Sequence, residues 1–217
     1  MAGGAQFPRR EVVELRIIET HAAPSPRRVN IFLAEKGIVV PREELNMMTD
    51  DLKTGDFAKL NPWHRVPVLI LDDGRVISET VAICRYFEEI SPEPALFGIG
   101  AVGKAEVEMW NRRIEFGLFN AVFAVFRHLH PKMAHLEVPQ IAAWGEANKE
   151  KVTHELTRID ARLANSPFIA GNSYSIADIT ALVAIDFMKP ARLGQPEGFS
   201  NVMRWHRNVS ARPSARA

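Results

Sequence analysis

The chain has 217 residues, room for one large domain or two of ordinary size, and 47% of them are hydrophobic, so its core needs no covalent staple. Its 27 lysines and arginines stand against 26 aspartates and glutamates, a formal net charge of +1. That balance gives no field of one sign to hold nucleic acid or an anionic membrane, which leaves small molecules or proteins as partners.

Cys84 is the only cysteine, which excludes an internal disulfide framework and a Cys-x-x-Cys redox pair and suits a reducing compartment. No apolar run approaches the roughly 20 residues of a membrane span, and the N-terminus lacks the apolar core of a signal peptide, so a cytoplasmic location is expected. Met1–Arg10 and Ser210–Ala217 read as frayed tails.

In chain order, Val12–Glu19 reads as a buried strand that stops at the loop His21-Ala22-Ala23-Pro24-Ser25-Pro26. Val29, Ile31, Phe32 and Leu33 then recur at helical spacing up to Lys36, where Gly37 supplies a stop. A second strand is predicted over Val39–Asn46 and a short polar helix over Asp51–Leu60. Val66–Leu71 and Val76–Ser78 flank Asp72-Asp73-Gly74-Arg75 and read as an antiparallel hairpin. Thr80–Ile90 is helical, with Ile83, Phe87 and Ile90 on one stripe. The order βαβαββα fits a thioredoxin-like α/β module, and on pattern alone also a ferredoxin-like one.

Ser91-Pro92-Glu93-Pro94 breaks this last helix, and no strand pattern returns after it. Two domains are therefore expected, 12–94 and an all-helical bundle over 101–209. The bundle opens with a long helix from Ala101 to His130, ended by Pro131. It carries two apolar stripes roughly 120° apart. Ile114, Leu118, Val122, Val125 and Leu129 form one, suited to the bundle core. Phe116, Phe119, Phe123 and Phe126 form the other, suited to line a cleft, meet a second subunit or pack as a second buried face. Further helices are predicted over Pro139–Leu163, Ala177–Met188 and Asn201–Val209.

Three groups of residues carry the functional signal. The first is Asn61-Pro62-Trp63-His64-Arg65-Val66-Pro67-Val68-Leu69, the second Ser78-Glu79-Thr80 at a helix start, and the third Ser175-Ile176-Ala177-Asp178 before the apolar helix. An acid and a hydroxyl at a helix N-terminus suit a ligand end that bears both an ammonium and a carboxylate, although the same pair also serves as a simple cap. Ser175 and Asp178 form a capping box with an acid in the return position, which makes Asp178 a folding residue. Cys84, inside an apolar helix, reads as a buried thiol.

With these motifs in this order, the sequence resembles the cytosolic glutathione transferase family from about Val12 to Val209. The run from Pro24 to Gly37 is similar to a fungal and bacterial subgroup that lacks the usual catalytic tyrosine or serine. The resemblance implies a transferase that conjugates the glutathione thiolate to an apolar electrophile, acting as a homodimer, with glutathione as co-substrate and no metal. It implies a cis Val66-Pro67 bond, pairing of the Val66 backbone with glutathione, and Glu79 and Thr80 at the γ-glutamyl end. It places His64 and Arg65 near the glycine carboxylate, His64 being the preferred contact, with Lys53 a weaker choice. Where other classes keep a serine, this chain has Ala23. Ser25 is then the candidate for activating the thiol, with the helix N-terminus beside it. Phe116, Phe119 and Phe123 are candidates for the electrophile pocket. Arg112, Glu115, Arg127, His128 and His130 are polar candidates on the long helix for holding a water at the sulfur, or otherwise a solvated face. The same fold also serves glutathione-dependent isomerases, dehalogenases and disulfide reductases, and non-catalytic modules.

Overall fold

The β-branched run at the start of the chain forms β1 (Arg16–Glu19). The computed structural model describes residues 14–21, 23–47 and 49–217; the predicted strand start at Val12, the Met1–Arg10 tail and Ala22 lie outside them. β1 pairs in parallel with β2 (Arg42–Glu44) and antiparallel with β3 (Val68–Ile70), which pairs antiparallel with β4 (Val76–Ser78). The sheet order is β2-β1-β3-β4, and the β3–β4 hairpin turns at Gly74, whose φ is 82°.

Alternation along the strands sorts the sheet's two faces. Ile17 and Leu69 join the main core beneath α1 (Pro24–Lys36) and α3 (Thr80–Ile90), whereas Ile18, Val68 and Ile70 pack with Leu52 and Phe57 in a separate small cluster. Phe57 belongs to α2 (Gly55–Leu60). The predicted ten-residue helix here is divided into a 3-10 turn, Asp50–Leu52, and α2, because Gly55 adopts φ 63° between them. β2 is also shorter than predicted. Its three charged residues are all exposed, the kind of short polar edge that discourages pairing with another chain.

The buried ammonium of Lys36, at the end of α1, binds Glu88 at 2.7 Å and the carbonyls of Ser91 and Pro94 at 2.6 and 2.9 Å. Glu88 in turn accepts the Phe97 N–H at 3.1 Å. This polar knot fixes the segment leading out of the sheet-containing half of the chain.

The long predicted helix is instead α4 (Gly100–Ile114), a π-helical segment over Glu115–Phe119, and α5 (Asn120–Leu129). They pack with α6 (Ala142–Leu163), α7 (Ile176–Met188) and α8 (Ser200–Ser210). α7 is the pillar shared by both halves, meeting α4 on one side and α1 on the other. At its start the buried Asp178 carboxylate accepts from the backbone N–H groups of Ser175 (3.0 Å) and Ile169 (2.9 Å), the Ser175 hydroxyl (3.1 Å) and the Trp205 indole (2.8 Å). Burial pushes its pKa up to about 6 in spite of these four donors.

The C-terminal tail corrects the sequence expectation. Pro213–Arg216 forms a 3-10 turn with Ser214 buried. Arg212 grips Glu35 of α1 with two hydrogen bonds of 2.7 and 2.6 Å, the Ser214 hydroxyl donates to the same carboxylate, and Arg27 donates to the Ala215 carbonyl. The chain end is thus a strap from the helical half back to the sheet. The architecture is the thioredoxin-like domain and all-helical domain implied by the sequence.

Candidate functional site

A cleft of about 970 Å³ lies between the two halves. Its sheet-side wall is built from three local sequences. α1 starts Pro24-Ser25-Pro26 after Ala23, whose side chain offers no cap. Proline has no N–H, so Ser25 alone among the first three helical residues keeps a backbone donor. Its hydroxyl lines the cleft and has no partner among the described residues.

Val66 and Pro67, joined by a cis peptide bond, line the same wall just before the β3 ladder begins. Thr80, buried at the first position of α3, donates from its hydroxyl to the Ser25 carbonyl at 3.4 Å, which ties the two helix starts together. Glu79 precedes it with φ 71°, a conformation that costs a non-glycine residue about 1–3 kcal/mol. Its carboxylate lines the cleft and makes no hydrogen bond or ion pair among the described residues.

The structure does not bring His64 to this wall. Its φ of 54° turns the ring so that Nδ1 lies 2.7 Å from the Leu52 carbonyl, and its neighbour Arg65 lines the cleft instead. Lys53 is exposed and outside the cleft. Burial holds the Arg65 guanidinium below its usual pKa, as does Arg127 facing it from the other wall; Glu137 and Glu79 oppose the shift.

The opposite wall is aromatic below and charged above. Phe119 stacks on Phe123 with ring centres 4.5 Å apart, and Phe123 stacks on Phe187 at 4.9 Å. Phe119 is buried, Phe116 is 65% exposed, and Phe116, Phe119 and Phe123 all line the cleft. Three of the four phenylalanines of the stripe thus face the cleft, Phe126 packing instead on Phe187 and His130, while Ile114, Leu118, Val122 and Val125 are buried in the core.

Beneath this wall the buried Arg28 guanidinium lies 4.4 Å above the Phe119 ring and bonds to Glu115 at 2.8 Å; Arg112 meets the same carboxylate at 2.6 Å. Glu115 therefore anchors two arginines, Arg28 across the halves and Arg112 in its own helix run. The Glu155 carboxylate of α6 lies over Gly117, where a Cβ would stand 2.9 Å from it and turn that flexible side chain aside. From α6, Trp144, Asn148, Lys151, Glu155 and Arg158 form one stripe along the cleft. Arg127 and His128 also line it. Arg127 pairs with Glu137 at 3.2 Å, and His128 accepts the Ile141 N–H at 3.1 Å. His130 lies outside, against the Phe126 ring.

Arg28 and Lys151 are cleft residues to which sequence reasoning gave no role, whereas Arg65 is the one it set beside His64 as the less favoured contact. Arg28 follows Ser25 by three residues, one helical turn, and that spacing was the available signal. Cys84 is fully buried and burial pushes its thiol up to about 12, the inert thiol expected.

Comparison with known proteins supplies the family. The family model for the glutathione S-transferase N-terminal domain matches residues 23–90, and the model for the C-terminal domain matches residues 131–213. Glutathione S-transferase 2 of Saccharomyces cerevisiae is 34% identical over 203 residues, 92% of this chain and 87% of that protein. The crystal structure of a glutathione S-transferase domain-containing protein from Marinobacter aquaeolei superposes with a TM-score of 0.88 at 36% identity, covering 92% of this chain and 98% of the other. Elongation factor 1-gamma 2 of Oryza sativa is 30% identical over 58% of this chain, which spans 29% of that longer protein. An identity of this level over most of both chains, on a shared fold, means that the protein belongs to the glutathione S-transferase family.

Proposed function

We propose that the protein transfers the glutathione thiolate to an electrophilic small molecule with an apolar body. One observation carries this reading: the Ser25 hydroxyl, the Glu79 carboxylate and the α3 N-terminus share one wall of a cleft whose other wall is a phenylalanine stack. Glutathione is an anionic tripeptide whose γ-glutamyl end carries both an ammonium and a carboxylate. In this reading Glu79 takes the ammonium, and Thr80 with the first N–H groups of α3 takes the carboxylate. The Val66 backbone pairs with the cysteinyl residue as an added strand would. Arg65, in the place expected for His64, takes the glycine carboxylate.

A free thiol has a pKa of about 8.5, so at neutral pH only a few per cent is nucleophilic. The Ser25 N–H and O–H, together with the positive end of α1, lower that value by stabilising the anion. Because Pro24 and Pro26 leave Ser25 the only amide in that turn, the sulfur has one residue to lean on. The thiolate attacks an electrophilic carbon held against Phe116, Phe119 and Phe123. A carbon–sulfur bond forms, and the leaving group departs with its electron pair. A cytoplasmic homodimer, the usual state of the family, completes the proposal.

A second reading, a non-catalytic module, draws on Ala23 at the usual serine position and on the likeness to elongation factor 1-gamma 2. Retention on immobilised glutathione together with a conjugation assay separates the two. Retention with conjugation above the uncatalysed rate supports the transferase. Retention without it favours another glutathione-dependent reaction, and no retention favours the module.

A further inference from the structure

The charges of the cleft leave one cation over. Arg28 is paired with Glu115, Arg127 with Glu137 and Arg158 with Glu155, at 2.8, 3.2 and 2.5 Å. Among the described cleft residues, three formal charges have no ion-pair partner: Glu79, Arg65 and Lys151. Glutathione in the binding mode proposed above uses two of them, its ammonium at Glu79 and its glycine carboxylate at Arg65, while helix N-termini meet its other carboxylate and its sulfur. Nothing on glutathione remains for Lys151.

Lys151 also stands on the wrong wall to bind glutathione. It projects from α6, on the side of the phenylalanine stack, and its ammonium lies 4.2 Å from the centre of the Trp144 ring. Trp144 and Lys151 are seven residues apart on one helix face, so ring and cation form a single amphipathic ledge in the cleft that the Phe119–Phe123 stack also lines. Arg127 and Arg158 on the same wall are each neutralised by a carboxylate, which leaves Lys151 as the cation without an ion-pair partner there among the described residues. A purely apolar acceptor would leave this ledge unused. A planar acceptor with an acidic substituent fits both parts, its ring on the phenylalanines and its anion at Lys151.

Resting on the transferase reading, we propose that the acceptor substrate is an aromatic or similarly planar electrophile bearing a carboxylate or another acidic group, and that Lys151 is the residue that selects it. The chemistry is unchanged: the thiolate adds to the electrophilic carbon, the carbon–sulfur bond forms, and the leaving group carries away the electron pair of the broken bond. The acidic group takes no part in that exchange.

The test compares two aryl chlorides, neutral chlorodinitrobenzene and chlorodinitrobenzoate, which adds a ring carboxylate to the same leaving group and activating nitro groups. Each kcat/KM is divided by the uncatalysed rate constant with glutathione, and the ratio of the two, acid over neutral, is the readout. The wild-type ratio is expected to exceed one by about fivefold and to fall by about that factor in Lys151→Met, with high salt lowering it in the same direction. Lys149→Met removes an equal charge from the same helix outside the cleft and is expected to leave the ratio where it was. A ratio that Lys151→Met does not change, with both chlorides conjugated, overturns this proposal and leaves the transferase reading standing. Failure to conjugate either chloride overturns both.

Discussion

The two carboxylates that begin α7 and α3 are treated in opposite ways. Asp178 is fully buried and surrounded by four donors from three separate segments, the Ile169 loop, the α7 start and Trp205 of α8. Glu79 sits one residue before its helix in a left-handed conformation, in the open cleft, with no bonded partner among the described residues. A charge satisfied from within serves folding, whereas a charge held in strain without a partner serves something that arrives later.

Substitutions sharpen the contrast. Asp178→Ala strands four buried donors and is expected to lower unfolding stability by about 3–5 kcal/mol in chemical denaturation, well above the loss of a simple cap. The same carboxyl gives a pH signature. Its folded pKa of about 6 lies above its ordinary 3.8, so its contribution is full below the lower value and is lost as pH rises to the upper one. Between pH 4 and 6 the stability of the variant should therefore rise more steeply with pH than that of the wild type, and parallel curves would contradict this.

Glu79→Gly reverses the pattern. Relief of the φ of 71° is expected to raise stability by about 1 kcal/mol while glutathione affinity, measured by calorimetry, falls about ten- to a hundredfold. A stable variant that still binds glutathione would leave the Glu79 carboxylate without a part in binding. Ser25→Ala is expected to lower kcat about tenfold or more, with a smaller change in glutathione affinity; an unchanged kcat would remove the hydroxyl from the reaction. The smallest effect is expected from Arg212→Ala at the C-terminal strap. Its pair with Glu35 is partly exposed, so the loss should be about 1 kcal/mol in thermal unfolding, and a loss as large as that of Asp178→Ala would show that the strap is as central as the core.

What was legible in the sequence follows the same division. Short motifs announced themselves, because Val66-Pro67, Glu79-Thr80 and Ser175 to Asp178 each act through neighbours in the chain. The strand alternation and apolar helices gave the architecture for the same reason. Where two adjacent residues compete for one position, sequence had no vote: a φ of 54° at His64 sends its ring to Leu52 and leaves the cleft to Arg65. The π segment was hidden too, since the stripes of α4 and α5 read equally well as one regular helix. The strap depends on residues 177 or more positions apart, Glu35 with Arg212 and Ser214, which no local pattern records. Nothing local marks Lys151, whose place on the cleft depends on α6 packing against α5.

The central claim is that this cleft holds glutathione with its sulfur at the start of α1, where Ser25 favours the thiolate. Titrating the bound thiol by its ultraviolet thiolate absorbance tests that directly. The bound thiol is expected to titrate at least about one unit below the free value of about 8.5, moving back toward it in Ser25→Ala. Glutathione that binds with an unshifted thiol, or a shift that Ser25→Ala leaves intact, would contradict it.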